Sequence, residues 1–400
     1  MVLMLRFWKR LWKNFCFKIM KKVEQIIQDK VVMGFDEKKS SKEIEIILNE
    51  TFNVIDKKHS EFNIRIEEKE ITLLIKNITY LGNPHPMYAK RIQLSNGWQE
   101  KLQNANTFII GIYNFKGTRL YVYFDKKNYV NRELNNSSAH VWANDLLKGF
   151  QDGIFQKIDI RKNEIFIVRE DRFYEFVKDK LVNAKNIQTP EFEFFEKLKN
   201  DLNSSWKGTD CYNEMIEEDY PSKYQAEWAG FYFEYRFELF LQKNPKYTSI
   251  CKFNKEKKTG LIDLDIKFEK GFYGDLKTHS IKTSGILGND AKTIFGSIEN
   301  HGKVWYIVLN HSTVKDSDKG FVTTEYWNKV QGKENLRSYS TKMKYSVKLE
   351  NLQILEMNAF NKDHLSIFNQ GINSNGSLRK VKIKINKKEI KRFLIYESEI

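Results

Sequence analysis

Thiols and prolines are scarce in this chain. Its three cysteines, Cys16, Cys211 and Cys251, are odd in number and far apart. That excludes a disulfide framework and any C-x-x-C metal spacing, and it points to a reducing, cytoplasmic compartment. Only five prolines occur in 400 residues, so no proline-rich linker marks a domain boundary, and no internal repeat does so either. No apolar run approaches the roughly 18 residues that a membrane-spanning helix needs. Acidic residues are in deficit, 52 Asp and Glu against 67 Lys and Arg, for a net charge of +15. Such a surplus suits a polyanionic partner, nucleic acid or an acidic membrane; a chain rich in lysine, asparagine and isoleucine throughout would carry it too.

What is present is enough to fold. Hydrophobic residues make up 41% and aromatics 14%, which excludes a disordered polypeptide. The opening MVLMLRFWKRLWKNFCFKIMKK interrupts each apolar stretch with lysine or arginine and offers no small-residue cleavage site, so it does not read as a signal peptide. Its spacing predicts a basic amphipathic helix over 1–32, with Trp8, Trp12, Phe15 and Ile19 on one side. Docking on its own protein or a partner helix is preferred to a membrane surface. Strand patterns prevail from Glu61 to Val168, with Asn114–Thr118 as a hairpin loop in which Gly117 supplies a positive φ. Charged helical stretches follow over 170–203. The fold class expected is α+β, divided into the 1–32 helix, a strand-rich domain 33–205, a mixed core 206–330, and a basic segment 331–400 packed on that core.

Within the core the order of elements is informative. Ser222 with Gln225 offers a capping box, and Trp228, Phe231, Tyr232, Tyr235 and Leu239 follow helical spacing, predicting a helix over 222–242. YTSICKF, GLIDLDIKF and FYGDLKTHS then read as three strands. Asn289 is placed to cap a helix over DAKTIFGSIEN that Gly302 ends. KVWYIVLNH reads as a strand buried on both faces. The sequence of elements is helix, three strands, helix, strand.

The second and third strands gather unusual charge. Ile262, Leu264, Ile266 and Phe268 share one face while Asp263 and Asp265 share the other; Leu276 points opposite to Asp275 and Lys277. A loop of Glu269, Lys270 and Gly271 would pair Phe268 with Phe272, Asp265 with Asp275 and Asp263 with Lys277, bringing acids and lysine onto one face. Carboxylates facing each other across strands are destabilising without a cation between them. Oxygen donors without histidine or thiolate favour a hard ion, Mg²⁺ or Mn²⁺. The lysine suits another task, orienting or helping to deprotonate a water and balancing charge on a phosphate.

The D-x-n-D-x-K pattern on a hairpin within that order of elements resembles the PD-(D/E)xK nuclease superfamily, of which type II restriction endonucleases are the best-known members. The resemblance covers about 90 of the 400 residues. It implies a restriction-endonuclease-like αβββαβ core in which Asp275 and Lys277 are the second acid and the lysine, with the Leu276 carbonyl as a further metal ligand. The first acid is Asp263 by the G-L-I-D-L spelling or Asp265 by cross-strand pairing, with Asp263 slightly preferred. Ile262 stands where the family usually has proline. A helix glutamate often joins such sites, and Glu227 and Glu234 rank together here. His279, on the face of Lys277, is a second-tier phosphate contact. SGILGND (284–290) lacks the spelling of a nucleotide-binding loop and reads as a connection near DNA.

Two further stretches are candidates for DNA contact. NPHPMYAKRIQLSNGWQE (83–100) holds Lys90, Arg91, Gln93 and Asn96, side chains able to read base edges or grip phosphate. SLRKVKIKINKKEIKR (377–392) alternates Lys380, Lys382 and Lys384 with apolar residues, a strand with one basic face. The expectation is a cytoplasmic Mg²⁺-dependent restriction endonuclease acting on duplex DNA at a short sequence, as a homodimer, beside a DNA methyltransferase that protects the same site. A structure-specific repair or junction nuclease is the alternative among enzymes. The alternative outside them is a nucleic-acid-binding or membrane-surface protein whose hairpin is catalytically inert.

Overall fold

Two units share the chain, residues 1–155 with 165–185 and residues 156–164 with 186–400. The computed structural model describes residues 21–95, 97–130, 137–184, 189–254, 263–332, 334, 343–372 and 378–400. Helices and strands mix in both units, as expected for an α+β protein. Helix Pro190–Asp201 falls in the second unit, so the division lies at 185/186 where the sequence suggested 205/206.

In the first unit, β-branched and aromatic runs build a sheet with the order Glu164–Arg169, Thr118–Phe124, Thr107–Phe115, Lys69–Asn77, Glu61–Ile66, Asn53–Lys58. Its neighbours are antiparallel except Lys69–Asn77 and Thr107–Phe115, which run parallel. Phe115 pairs with Thr118, and Lys116 and Gly117 take φ of 46° and 81°, the two-residue turn that the twist of a hairpin favours. The helix expected over 1–32 is corrected from Val23 onward. Val23–Ile27 and Lys30–Gly34 pair as an antiparallel hairpin around Gln28 and Asp29. The β-branched VEQII and KVV prefer a pleated surface to a helix. Trp8, Trp12, Phe15 and Ile19 lie outside the described residues.

The second unit's sheet runs Cys251–Phe253, Ile266–Phe268, Tyr273–Ser280, Lys303–Lys315, Lys344–Asn358, Leu394–Glu399, with Ile158 paired to Tyr396 at its far side. Tyr273–Ser280 and Lys303–Lys315 are parallel, and helix Ala291–His301 lies in the crossover between them. Helix, three strands, helix and strand thus occur in the expected order, with one further short strand, Gly285–Asp290, ahead of the second helix. That strand pairs with Lys382–Asn386, which pairs in turn with Ser366–Phe368. Residues 344–400 therefore supply strands to the sheets themselves; they are more than a segment packed on the core.

Four boundaries differ from the expectation. Among the described residues the first two strands are confined to Cys251–Phe253 and Ile266–Phe268, so Asp263 and Asp265 precede the strand they were expected to share. The two helices differ as well. The first helix is Trp228–Lys243, starting six residues after Ser222. The Gln225 carbonyl accepts from Tyr212 Oη, and the Tyr224 carbonyl accepts from Trp327 Nε1 and Gln331 Nε2, so side chains occupy acceptors that a helix would give to its own amides. The second helix is capped at Asp290, not Asn289, and it ends at Gly302 with φ 77° as expected.

Candidate active site

Local sequence sets the hairpin's register. Gly271 at φ 87° closes a three-residue loop, and its amide donates to the Phe268 carbonyl at 3.0 Å. Phe268 N–H donates to Phe272 O at 2.9 Å, and Ile266 and Lys267 face Gly274 and Tyr273. The rings of Phe268 and Phe272 stack at 4.3 Å, with Trp305 at 5.1 and 4.9 Å from them. Each such aromatic pair contributes about 1 kcal/mol beyond area burial. Continued by one residue, this register brings Asp265 opposite Asp275, as anticipated.

The two acids are buried, 2% and 1% exposed. Asp265 Oδ2 accepts the Leu276 amide at 2.9 Å, and the Asp265 amide donates to Asp275 Oδ1 at 3.3 Å. Asp275 Oδ2 meets the Lys277 ammonium as an ion pair without a hydrogen bond of regular geometry. Burial first, and then the charge of Asp265, pushes the Asp275 carboxyl up to about 7 against the pull of Lys277. Burial disfavours the charge on Lys277, but Asp275 and Asp265 outweigh it and hold its pKa above the ordinary lysine value. The lysine is an ammonium at neutral pH.

The two candidates for the first acid separate here. Asp265 reaches Asp275; Asp263 is exposed, two residues ahead of the strand's bend, and its carbonyl accepts from Asn289 Nδ2 at 2.9 Å. The preference for Asp263 drawn from spelling gives way to the cross-strand choice. The helix glutamates separate as well. Glu234 is half-buried and its charge acts on Lys277. Glu227 is exposed at the helix start, 3.6 Å from Lys344, and is not part of the cluster. His279 shares the strand face of Lys277, but Asn310 and Thr283 engage both ring nitrogens at 2.8 and 2.7 Å. Burial lowers its pKa, so it is a neutral strut.

A pair of buried carboxylates suits a small hard cation. Mg²⁺ commonly takes one or two protein carboxylates and fills its remaining positions with water and phosphate oxygens. Among the described residues no group of three or more His, Cys, Asp or Glu stands ready to ligate. The fit is to an ion shared with substrate, not to an all-protein cage. Lys267, two residues along from Asp265, stands opposite Lys252 on the neighbouring strand, and Lys252 pairs with Glu269 at 2.8 Å.

Asn254 and Tyr306, which the sequence reading passed over, and Asn289, read there only as a helix cap, hold the cluster. Asn254 donates from its amide to Asp265 O at 2.8 Å and from Nδ2 to Leu264 O at 2.9 Å. Asn289 and Tyr306 act on the other side. Their only signal in the sequence was polarity: an asparagine before a helix and a phenol inside an apolar strand.

The remaining DNA-contact candidates fare unevenly. Lys90 is fully buried and pairs with Asp36 at 2.8 Å, so it is corrected to a structural residue. Ala89–Gln93 is the middle strand of a three-stranded sheet, not a loop. Arg91 lies between Thr79 and His140 in that sheet and is partly exposed. Gln93 is exposed and donates to Ser137 O at 3.0 Å, and Asn96 lies outside the described residues. Lys382 and Lys384 alternate with buried Ile383 and Ile385, while exposed Lys380 precedes the strand and pairs with Asp290 at 3.0 Å.

Residues 69–177, mostly within the first unit, match the family described as methylase-associated X1 (MTaX1). That description associates the matched segment with restriction–modification systems. No curated protein and no solved structure matches the chain. Among the described residues no helix is long and apolar enough to cross a membrane.

Proposed function

We propose that the second unit is a Mg²⁺-dependent DNA endonuclease of the PD-(D/E)xK type and that the protein is a restriction endonuclease. One observation carries the reading: Asp265, Asp275 and Lys277 converge on a single hairpin, two buried acids beside a charged ammonium. The match of residues 69–177 to a methylase-associated family supports the restriction context independently, because it lies outside the hairpin.

Asp265, Asp275 and the Leu276 carbonyl would hold the ion. Bound there, Mg²⁺, or Mn²⁺ in its place, would supply Lewis-acid stabilisation of the charge that develops on the phosphate. Lys277 keeps its proton, so its work is to orient the attacking water and to offset phosphate charge, not to act as a free base. Glu234 sits where it reinforces that charge state. The strand-rich first unit supplies sequence recognition, the protein acts as a homodimer on duplex DNA, and a methyltransferase protects the same sites.

Unmethylated plasmid incubated with the protein tests this. Discrete fragments with Mg²⁺ and none with EDTA are expected. Preference for branched DNA would indicate a junction nuclease instead. Retarded but intact DNA under Mg²⁺ and Mn²⁺ would indicate a binding protein.

A further inference from the structure

Tyr306 is fully buried on the strand beside the acid–lysine hairpin and stands in register with Asp275. Its ring centroid lies 5.5 Å from Lys277 Nζ, a distance at which the face of a phenol attracts an ammonium. Its hydroxyl accepts the Asn289 amide at 2.9 Å and donates to Asn289 Oδ1 at 3.0 Å. Asn289 Nδ2 then donates to the Asp263 carbonyl at 2.9 Å. The contact depends on a glycine: a Cβ at Gly288 would lie 2.5 Å from Tyr306 Oη and 2.5 Å from Ile383. The backbone has been brought as close to the phenol as an unsubstituted residue allows.

We propose that Tyr306 is a positioning residue for both halves of the cluster. Its ring seats the Lys277 ammonium, and through Asn289 its hydroxyl fixes the backbone at Asp263 that aims Asp265 at Asp275 and the Leu276 amide. Asn289, one residue ahead of the N-cap position at Asp290, is the arm that reaches across. Asn254 fixes the carbonyls of Leu264 and Asp265 from the opposite side, so the acid-bearing segment is held between two asparagines. The phenol closes the arrangement because its ring faces the lysine and its hydroxyl holds that segment's support. This role rests on the nuclease reading for its catalytic meaning, though not for its geometry.

Tyr306→Phe retains the ring under Lys277 and deletes the hydroxyl; Asn289→Ala deletes the arm. Both are examined in the metal-free full chain by hydrogen exchange over peptides covering 263–277 and 304–309, and in cleavage assays against Mg²⁺ concentration. Loss of such supporting contacts typically costs roughly 10-fold or more in metal affinity or activity. The expected result is faster exchange confined to 263–277, a Mg²⁺ requirement raised roughly 10-fold, and an unchanged KM for DNA. The double variant should be no worse than the more affected single, since both cut one chain of contacts. Unchanged exchange over 263–277 in Tyr306→Phe overturns the proposal. So does faster exchange in both peptides alike, which would mark general loosening of the sheet. Should the wild type cleave no DNA at all, the nuclease reading falls, and the exchange comparison still decides the role of Tyr306.

Discussion

Asp265 and Asp275 face each other across a hairpin, and the backbone amide of Asp265 donates to the Asp275 carboxylate at 3.3 Å. Burial and the charge of Asp265 leave the state of the Asp275 carboxyl in question. A neighbouring ammonium, a proton or a divalent ion can each settle it, and the account follows from which of these does so.

The choice of first acid is directly testable. Asp265→Asn should lower the single-turnover cleavage rate by roughly 100-fold or more, because it removes a ligand and the partner of the Leu276 amide. Asp263→Asn should stay within about threefold of wild type, as an exposed substitution away from the cluster. The reverse ranking would restore the reading taken from the G-L-I-D-L spelling.

Register rests on the loop. Gly271 at φ 87° occupies a conformation that costs an L-residue about 1 kcal/mol. Gly271→Ala should lower unfolding free energy by about that amount in urea titrations. Activity should fall further than stability does, because slippage would part Asp265 from Asp275. A loss of stability with full activity would show that the loop does not set the register.

Here the sequence was legible for a physical reason. A short loop with a glycine at its third position and phenylalanines on both flanks admits few registers, and all of its determinants lie within ten residues. Asp263 was not separable from Asp265 because Asn289 and Asn254 decide their positions from 26 and 11 residues away. The strand Gly285–Asp290 was read as a connection because its partner, Lys382–Asn386, lies about a hundred residues further along. Lys90 belongs with these: nothing local reveals that Asp36 awaits it.

Removal of that buried partner should be costly. Lys90→Ala leaves the partly buried Asp36 carboxylate to Gln25 and the Tyr80 amide, without its cation, a loss of up to about 3 kcal/mol. Lys90→Ala should therefore lower the melting temperature while DNA affinity, measured on the folded protein, stays within about twofold. A DNA-binding defect in a fully stable variant would return Lys90 to the recognition surface.

Stability should depend on pH through Asp275. Its pKa rises from 3.8 in the unfolded chain to about 7 in the fold, so the folded state binds the extra proton. The stabilisation this lends is complete below about pH 4 and is lost as pH climbs through about 7. The metal-free protein should melt several degrees lower at pH 8 than at pH 5, and Asp275→Asn should shrink that difference. Mg²⁺ added at pH 8 should raise the melting temperature of the wild type and leave Asp275→Asn unmoved. An equal pH response in both proteins would mean that Asp275 is ionised throughout.

The most direct measurement compares single-turnover cleavage of unmethylated duplex DNA by the wild type, Asp275→Asn and Lys277→Ala, each shown to be folded, with Mg²⁺ present. The account predicts specific fragments from the wild type and losses of roughly 100-fold or more in both variants, the cost of removing a metal ligand or a group that stabilises the transition state. Equal cleavage by all three, or intact DNA with the wild type under both Mg²⁺ and Mn²⁺, would contradict it.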